Sequence, residues 1–298
     1  LRVVQVDAAS RRGLLGLEAA ARVARYAALA EHLVPGACLL TAHHRDDQAE
    51  TVLLQLLRGS GPAGVAAMPR VAPLGPGRLV RPLLDVDRAD LLAYAAAHAI
   101  AFVQDASNAD PRLARAYLRA EVLPRLAAHW PGVRRTLARA ARHAADAAAI
   151  VAERAAQDLL GIAGPTPWQV STALLARLSP PRRRAVLRHW CHAHGIPVPD
   201  TARLDAILGQ LATAGAGRAI AVGWPGGAFR RYRDRLHLLP ELPPHDAGLC
   251  LPWDGAQPLA LPSGLGTLRL ATGGPLRRAA LGSHSLTGEV LAAPPRPW

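Results

Sequence analysis

Short apolar runs alternate with helical patterns over the first 60 residues. Residues 1–6 form a β-branched run, and residues 17–32 are apolar at helical spacing. A second short apolar run covers residues 38–42, and helical periodicity returns over residues 46–57 before a Gly/Pro-rich break at residues 59–62. This order of strand, helix, strand, helix predicts an α/β fold with a parallel sheet and helices on both of its faces.

The pattern beyond the first sheet is mainly helical, which predicts a helical second domain. A strand end at Leu79-Val80 and a helix over residues 87–98, with Asp87 as its N-cap, still belong to the first domain. Residues 133–160 form a long Ala/Arg-rich pattern that is typical of a spacer helix between domains. The other predicted elements are a helix from residue 113, a boundary at 161–167, helices within 174–211 interrupted at 195–199, and a hairpin within 219–239.

Length and composition support two folded domains. The 298 residues exceed one ordinary core, and 50% hydrophobic with 19% charged residues excludes disorder of the whole chain. No apolar run reaches the ~20 residues that a membrane span needs. The three cysteines, Cys38, Cys191 and Cys250, form no CxxC pair, which argues against a disulfide framework or a cluster site and predicts a cytoplasmic protein.

The charge balance predicts a polyanionic partner. The formal net charge is +13, and all 35 basic residues are arginine. The scarcity of Ile, Phe, Tyr and Asn beside abundant Ala, Arg, Gly and Pro indicates a GC-rich coding bias, which explains part of the arginine excess. Asp and Glu do not balance the remainder, and a positive field of this size favours nucleic acid through phosphate contacts and counterion release.

Residues 41–51 carry the densest set of chemically active side chains. Two His, two Asp and one Glu lie within eight positions, where a predicted strand ends and a helix begins. Ligands bind at the carboxyl ends of strands in open α/β sheets, and helix N-termini favour phosphate. His43 and Asp47 are four residues apart and share a helical face near Glu50. Two alternatives stay open: acids placed only to complement the helix dipole, and a metallohydrolase site that lacks further ligands.

Three further segments could contact a phosphate or nucleotide. The glycines of residues 58–64 could form an anion-binding nest, or a helix C-cap and turn. Asn108 is the only Asn in the chain, and it either shapes a turn or contacts a ligand. Arg112, Arg115 and Arg119 follow at spacings of four or fewer and share one helical face, which favours phosphate binding or a solvated surface.

A basic helix is predicted in the second domain. Arginines at positions 182, 183, 184 and 188 precede a segment with three His and Cys191. A metal site is conceivable there, but cationic residues are favoured at a helix C-terminus in any case. RNA backbone contact by Arg182, Arg183, Arg184 and Arg188 is the better functional hypothesis, with Trp190 in the core.

Taken together, these segments resemble the tRNA(Ile)-lysidine synthases, a family of the PP-loop ATP pyrophosphatase superfamily with an adenine-nucleotide alpha hydrolase-like fold. The matching stretches are residues 16–22, 24–26, 41–51, 57–61, 81–84, 105–110 and 115–124. They cover about the first 125 residues in order, and the set is specific although each piece alone is not. The helical middle of the chain is similar to that family's substrate-binding region more loosely.

The resemblance implies ATP- and Mg²⁺-dependent ligation of free L-lysine to C2 of the wobble cytidine of tRNA(Ile) with a CAU anticodon. It implies catalytic roles for His43 and Asp47 and no protein metal ligand. It implies nucleotide-side roles for Asp46, Glu50, Gly59, Gly61, Asn108, Arg115 and Arg119.

Two departures from the family pattern qualify the expected activity. The SGGxDS loop that wraps the ATP phosphates is absent from the sequence, and residues 281–298 do not continue the pattern. We therefore expect a partial PP-loop domain at 1–125, a helical linker at 126–165, a tRNA-binding domain at 166–245 and an incomplete region at 246–298. On this expectation the chain as written is an inactive copy, and a non-catalytic RNA-binding remnant is the alternative. Dispersed cysteines argue against an iron–sulfur tRNA thiolase.

Overall fold

A computed structural model describes residues 3–7, 17–103, 113–213, 220–241, 250–253, 257–261, 266–269 and 277–279. The chain divides into two compact units, Leu1–Ile150 and Val151–Trp298. Among the described residues, no helix has the length and apolarity required to cross a membrane.

The first unit is a small sheet with helices before, between and after its strands. Its strands are β1 (Cys38–Leu40), β2 (Val71–Leu74) and β3 (Gly77–Val80). Its helices are α1 (Leu17–Glu31), α2 (Arg45–Leu57), α3 (Pro62–Val65), α4 (Arg88–Ala97), α5 (Ala114–Tyr117), a π-helical turn (Leu118–Val122) and α6 (Leu123–His129). Helix α7 (Val133–Ile162) begins in this unit and continues into the second.

The sheet is mixed, with strand order β1-β3-β2. Strand β3 pairs with β1 in parallel and with β2 antiparallel, so the prediction of a parallel sheet holds only for β1 and β3. The sequence pattern missed β2, because Pro73 interrupts an already short run and a two-residue turn at Gly75 joins it to β3. The strand expected at residues 1–6 was wrong for residues 3–6, which are exposed and belong to none of the sheets in the described part of the chain.

The second unit combines helices with an antiparallel sheet. Its elements are β4 (Gln169–Ser171), α8 (Thr172–Arg177), α9 (Pro180–Ala193), α10 (Thr201–Thr213), β5 (Ile220–Trp224), β6 (Gly227–Tyr232), β7 (Arg235–Pro240), β8 (Leu259–Leu261), β9 (Gly266–Arg269) and β10 (Arg277–Ala279). The order β4-β7-β6-β5 makes a four-stranded sheet in place of the single predicted hairpin. The prediction of a mainly helical domain therefore missed this sheet. The strand β4, which pairs with β7, is only three residues long and gives little pattern in the sequence.

The core of the second unit forms where α9 packs on this sheet. Trp190 is fully buried, donates from Nε1 to the Pro167 carbonyl at 2.8 Å and stacks on Phe229 with ring centroids 5.8 Å apart. Leu236 and Leu238 of β7 are also fully buried. The expectation that Trp190 lies in the core is confirmed, and burying an indole of this size stabilises the unit by several kcal/mol, on the order of 3.

Candidate functional site

The N-terminus of α2 lies directly after the carboxyl end of β1. The Thr41 N–H donates to the Val80 carbonyl of β3 at 3.0 Å, which extends the parallel pairing by one residue. Asp47 then accepts the backbone N–H of the N-cap residue His44 at 3.0 Å. This bond satisfies a helix-end donor and places the carboxylate at the positive end of the helix dipole.

Arg119 holds two carboxylates of α2 together. Its Nε and Nη2 donate to the two oxygens of Glu50 at 2.7 and 3.0 Å, and Nη2 also reaches Asp47 Oδ1 at 3.3 Å. Glu50 is fully buried, so burial raises its pKa, while the hydrogen bond from Arg119 opposes that rise. The same hydrogen bond raises the pKa of Arg119, and the bidentate geometry is that of an ion pair.

A π-helical turn carries Arg119, and the helix just before it carries Arg115. Turns of this kind often occur at functional sites because they shift one side chain relative to the regular helix. Arg115 Nη2 donates to Thr51 Oγ1 at 3.1 Å, and Thr51 in turn donates to the Asp47 carbonyl at 2.7 Å. The two arginines therefore line the same stretch of α2, as their four-residue spacing predicted.

His43 lies beside this cluster as a neutral imidazole. Its Nδ1 is 2.9 Å from Thr41 Oγ1. Burial lowers the pKa of His43, Asp47 raises it, and the positive charges of Arg81 and Arg22 lower it further. Its Nε2 has no hydrogen-bond partner among the residues that the structure describes. A neutral ring nitrogen at this position can accept a proton.

Asp46 has partners other than Arg119. Its Oδ1 forms an ion pair with Arg134 of α7, at 2.7 Å from Nε, and its Oδ2 accepts the backbone N–H of Arg88 at 3.0 Å. The side chain thus ties α2 to α4 and α7. The neighbouring acids Asp46 and Asp47 therefore have different partners, which their adjacency in the sequence did not reveal.

The sequence reasoning missed Arg81. Its side chain follows β3, is 4% exposed and donates from Nη1 to the Pro69 carbonyl at 2.7 Å. Burial lowers the pKa of Arg81, and its charge acts on His43. The signal that could have found it is its place at the carboxyl end of β3, since parallel neighbours β1 and β3 end at the same sheet edge.

The two glycines assigned to phosphate binding lie at the other end of α2. Gly59 has a φ of +68° directly after the helix, and Ser60 Oγ donates to Gln55 Oε1 at 2.6 Å. Gly61 is the N-cap of α3. Ten residues of helix separate Asp47 from Leu57, about 15 Å, so the structure does not bring Gly59 and Gly61 to the His43 cluster. Their geometry is that of a C-cap and turn.

The remaining sequence predictions concern Asn108, Arg112 and a metal site. Asn108 and Arg112 lie outside the described residues. Within the described part of the chain, no three His, Cys, Asp or Glu side chains converge on a possible metal position.

All four arginines assigned to RNA binding contact partners within the second unit. Arg182 Nε donates to buried Asp158 at 2.7 Å, and Arg184 Nη1 pairs with Asp205 of α10 at 3.1 Å. The other two bond to oxygen atoms of neighbouring segments, Arg183 to the Leu178 carbonyl at 2.7 Å and Arg188 to Thr201 Oγ1 at 3.2 Å. The structure thus shows these side chains joining helices within the unit. In the same helix, burial raises the pKa of Cys191 to about 12, so its thiol is not ionised at neutral pH.

Two domain families match the chain, and both agree with this arrangement. Residues 1–126 match the PP-loop domain family, and residues 171–237 match the TilS substrate-binding domain family. Relatives named tRNA(Ile)-lysidine synthase include one from Alkalilimnicola ehrlichii that is 50% identical over 256 residues, or 86% of this chain and 57% of that protein. One from Methylococcus capsulatus is 43% identical over 273 residues, or 91% of this chain and 62% of that protein.

The chain thus carries a PP-loop domain and a TilS substrate-binding domain, and over most of its length it is 43–50% identical to these two proteins named tRNA(Ile)-lysidine synthase. The resemblance drawn from residues 41–51 and the segments around them is therefore confirmed. The chain spans about 60% of the length of these two relatives. Within the family match, the His43 and Arg119 cluster lies in the PP-loop domain and Arg182 lies in the substrate-binding domain.

Proposed function

We propose that this chain belongs to the tRNA(Ile)-lysidine synthase family and takes part in ATP-dependent ligation of lysine to C2 of the wobble cytidine of tRNA(Ile) with a CAU anticodon. The observation that supports it is a pair of carboxylates, the fully buried Glu50 and the partly buried Asp47, held by Arg119 beside neutral His43 at the carboxyl end of the parallel strands. A lysine-dependent ligation needs acidic groups to hold an ammonium and a neutral base to deprotonate it.

The proposed reaction has two steps. The C2 oxygen of cytidine attacks the α-phosphorus of ATP, and pyrophosphate leaves. The ε-amine of lysine, after losing a proton, then forms a C–N bond at C2, and AMP leaves with the former C2 oxygen. Positive groups near the phosphates stabilise the first step, and a base near the amine serves the second.

The residues divide between these demands. Asp47, held by Arg119 and the His44 N–H, would attract the lysine ammonium, and the neutral His43 ring would accept its proton. Arg115, whose guanidinium bonds only a hydroxyl in the described structure, would contact the phosphate or adenylate. Arg119 is engaged by Glu50 and Asp47, so we assign it to positioning of these carboxylates.

The acids of α2 do not fit a resident Mg²⁺ site. Asp47 and Glu50 are bonded by Arg119, and Asp46 is bonded by Arg134. A magnesium ion bound through such groups would have to displace an arginine, so we do not assign these carboxylates to Mg²⁺ coordination. Any Mg²⁺ would arrive with the ATP phosphates, which hold it in most nucleotide sites.

The remaining assignments follow from the family. We propose the domain limits 1–125, 126–165 and 166–245, with tRNA contacts in the last segment and a cytoplasmic location. The non-catalytic RNA-binding remnant is not favoured, because the relatives matched over most of this chain are named as synthases.

The test is lysine transfer by the protein expressed from its complete reading frame. Radiolabelled lysine, ATP and Mg²⁺ are incubated with a tRNA(Ile) transcript bearing a CAU anticodon, and with a control transcript whose wobble cytidine is uridine. We expect ATP-dependent label in the first RNA only. Binding of both transcripts without lysine transfer would overturn the proposal and support the RNA-binding remnant.

A further inference from the structure

Helix α7 carries a stripe of arginines on the face turned toward α2 within the first unit. Arg135, Arg139 and Arg142 are spaced by four and three residues, which places them on one helical face at rises of about 6 and 4.5 Å. All three residues are exposed, and the Arg135 side chain retains 75% of its accessible surface.

These three side chains line a cleft of about 380 Å³ with Arg45, the first residue of α2, and Asp85. We call it the arginine cleft, defined by Arg45, Arg135, Arg139 and Arg142. Ala138 also lines the cleft, and its small side chain leaves space between the arginine side chains.

The charges of the arginine cleft are only partly neutralised. Arg45 and Arg135 both pair with Asp87, with Arg135 Nη2 at 3.1 Å from Asp87 Oδ2. In the described part of the chain, Arg139 and Arg142 have no ion-pair partner. The cleft therefore keeps at least two uncompensated guanidinium groups, which are suited to bidentate contact with phosphate oxygens.

The arginine cleft adjoins the candidate site. Arg45 immediately precedes Asp46 and Asp47, and Arg134, next to the stripe, bonds Asp46 at 2.7 Å. A polyanion lying in the cleft would therefore reach the N-terminus of α2. The arginines of α9, by contrast, bond partners within their own unit.

We propose that the arginine cleft binds backbone phosphates of the RNA strand that carries the nucleotide to be modified. This inference rests on the proposed function, because it takes tRNA as the substrate. Each guanidinium that neutralises a phosphate releases counterions, so the contribution grows as salt concentration falls.

The test is the double variant Arg139→Gln/Arg142→Gln, which keeps helix-forming side chains and removes two charges. Its matched control is Arg78→Gln/Arg125→Gln, which removes the same charge at two other exposed positions of the first unit, both outside the arginine cleft. Binding of the CAU tRNA(Ile) transcript is measured from 0.1 to 1 M salt. At slopes of about 0.7 to 0.9 per phosphate, loss of two contacts predicts binding about 25- to 60-fold weaker at 0.1 M salt and nearly equal at 1 M.

The outcomes separate this inference from the proposed function. Weaker binding and a lower salt slope in the cleft variant alone, with an unchanged circular dichroism spectrum, would support the inference. Equal affinity and slope in the cleft variant and wild type, or the same loss in the control, would overturn it and leave the proposed function standing. Failure of the wild-type protein to bind the transcript at all would overturn both.

Discussion

Replacing Arg119 by Met tests the arrangement of charges at the candidate site most directly. The change leaves Glu50, which is fully buried, without its bidentate partner. Breaking a buried ion pair on one side costs about 3–5 kcal/mol. The Arg119 side chain is 33% exposed and Arg115 acts on Glu50 as a second cation, so we expect the lower end, about 3 kcal/mol.

The assay is hydrogen exchange of the α2 amides, since local protection reports this helix without requiring the two units to unfold together. A loss of about 3 kcal/mol corresponds to exchange roughly 150-fold faster at neutral pH. Changing Glu50 to Gln in the same protein should restore most of the protection, because no uncompensated charge is left.

The loss of stability in Arg119→Met should depend on pH in a definite direction. Burial raises the pKa of Glu50, and loss of Arg119 removes the hydrogen bond that opposes this rise. A carboxyl with a raised folded-state pKa contributes stability that is present below its ordinary value of 4.5 and is lost as the pH rises through the folded-state pKa. The defect of Arg119→Met should therefore be full at neutral pH and shrink toward pH 4.5.

The control is Arg125→Gln, because Arg125 is 83% exposed and pairs with Glu121 at 3.4 Å on the surface. Such a pair is worth at most about 0.5 kcal/mol. Unchanged α2 protection in Arg119→Met, or an equal loss in Arg125→Gln, would show that Arg119 does not stabilise the buried Glu50 carboxylate.

Three further predictions concern the base, the core and a structural ion pair. If His43 is the base, the rate of lysine transfer should decline only below pH 6.5, because the pKa of His43 is lowered. The variant His43→Gln should lose this pH dependence. A decline that begins above pH 6.5 in the pH–rate profile would contradict the assignment. Trp190→Ala removes the stack on Phe229 and should destabilise the second unit by about 3–5 kcal/mol, measured by urea unfolding followed by circular dichroism. A loss of unfolding free energy under about 1 kcal/mol would refute the packing described. The hydrogen bond from Arg182 lowers the pKa of Asp158, so the stabilisation by this carboxylate is present above pH 3.8 and is lost as the pH falls through the folded-state pKa. The variant Asp158→Asn should therefore have a lower melting temperature than wild type at pH 7. The difference between the two melting temperatures should close at low pH.

The local elements that position the site were predictable from the sequence. The run at residues 38–42, the helical pattern from residue 46 and the helix over residues 133–160 each follow from periodicity, and the structure has β1, α2 and α7 at these places. The nearness of Asp47 and Glu50 also follows from helical spacing alone, whereas His43 precedes the N-cap His44 and lies outside the helix. These features depend on neighbours within about one or two turns of the chain, so a linear pattern contains them.

Tertiary structure alone decided which charges meet. Asp46 and Asp47 are adjacent in sequence, yet one pairs with Arg134 and the other with Arg119, because they leave the helix at different angles toward different elements. The same holds for Arg182, whose partner Asp158 is 24 residues away on another helix. A basic run predicts positive charge, but its availability to an external ligand depends on the acids that the fold brings beside it. This is why the sequence by itself predicted the family resemblance and the helix that carries the candidate acids, whereas only the packing of distant helices assigned each arginine its partner.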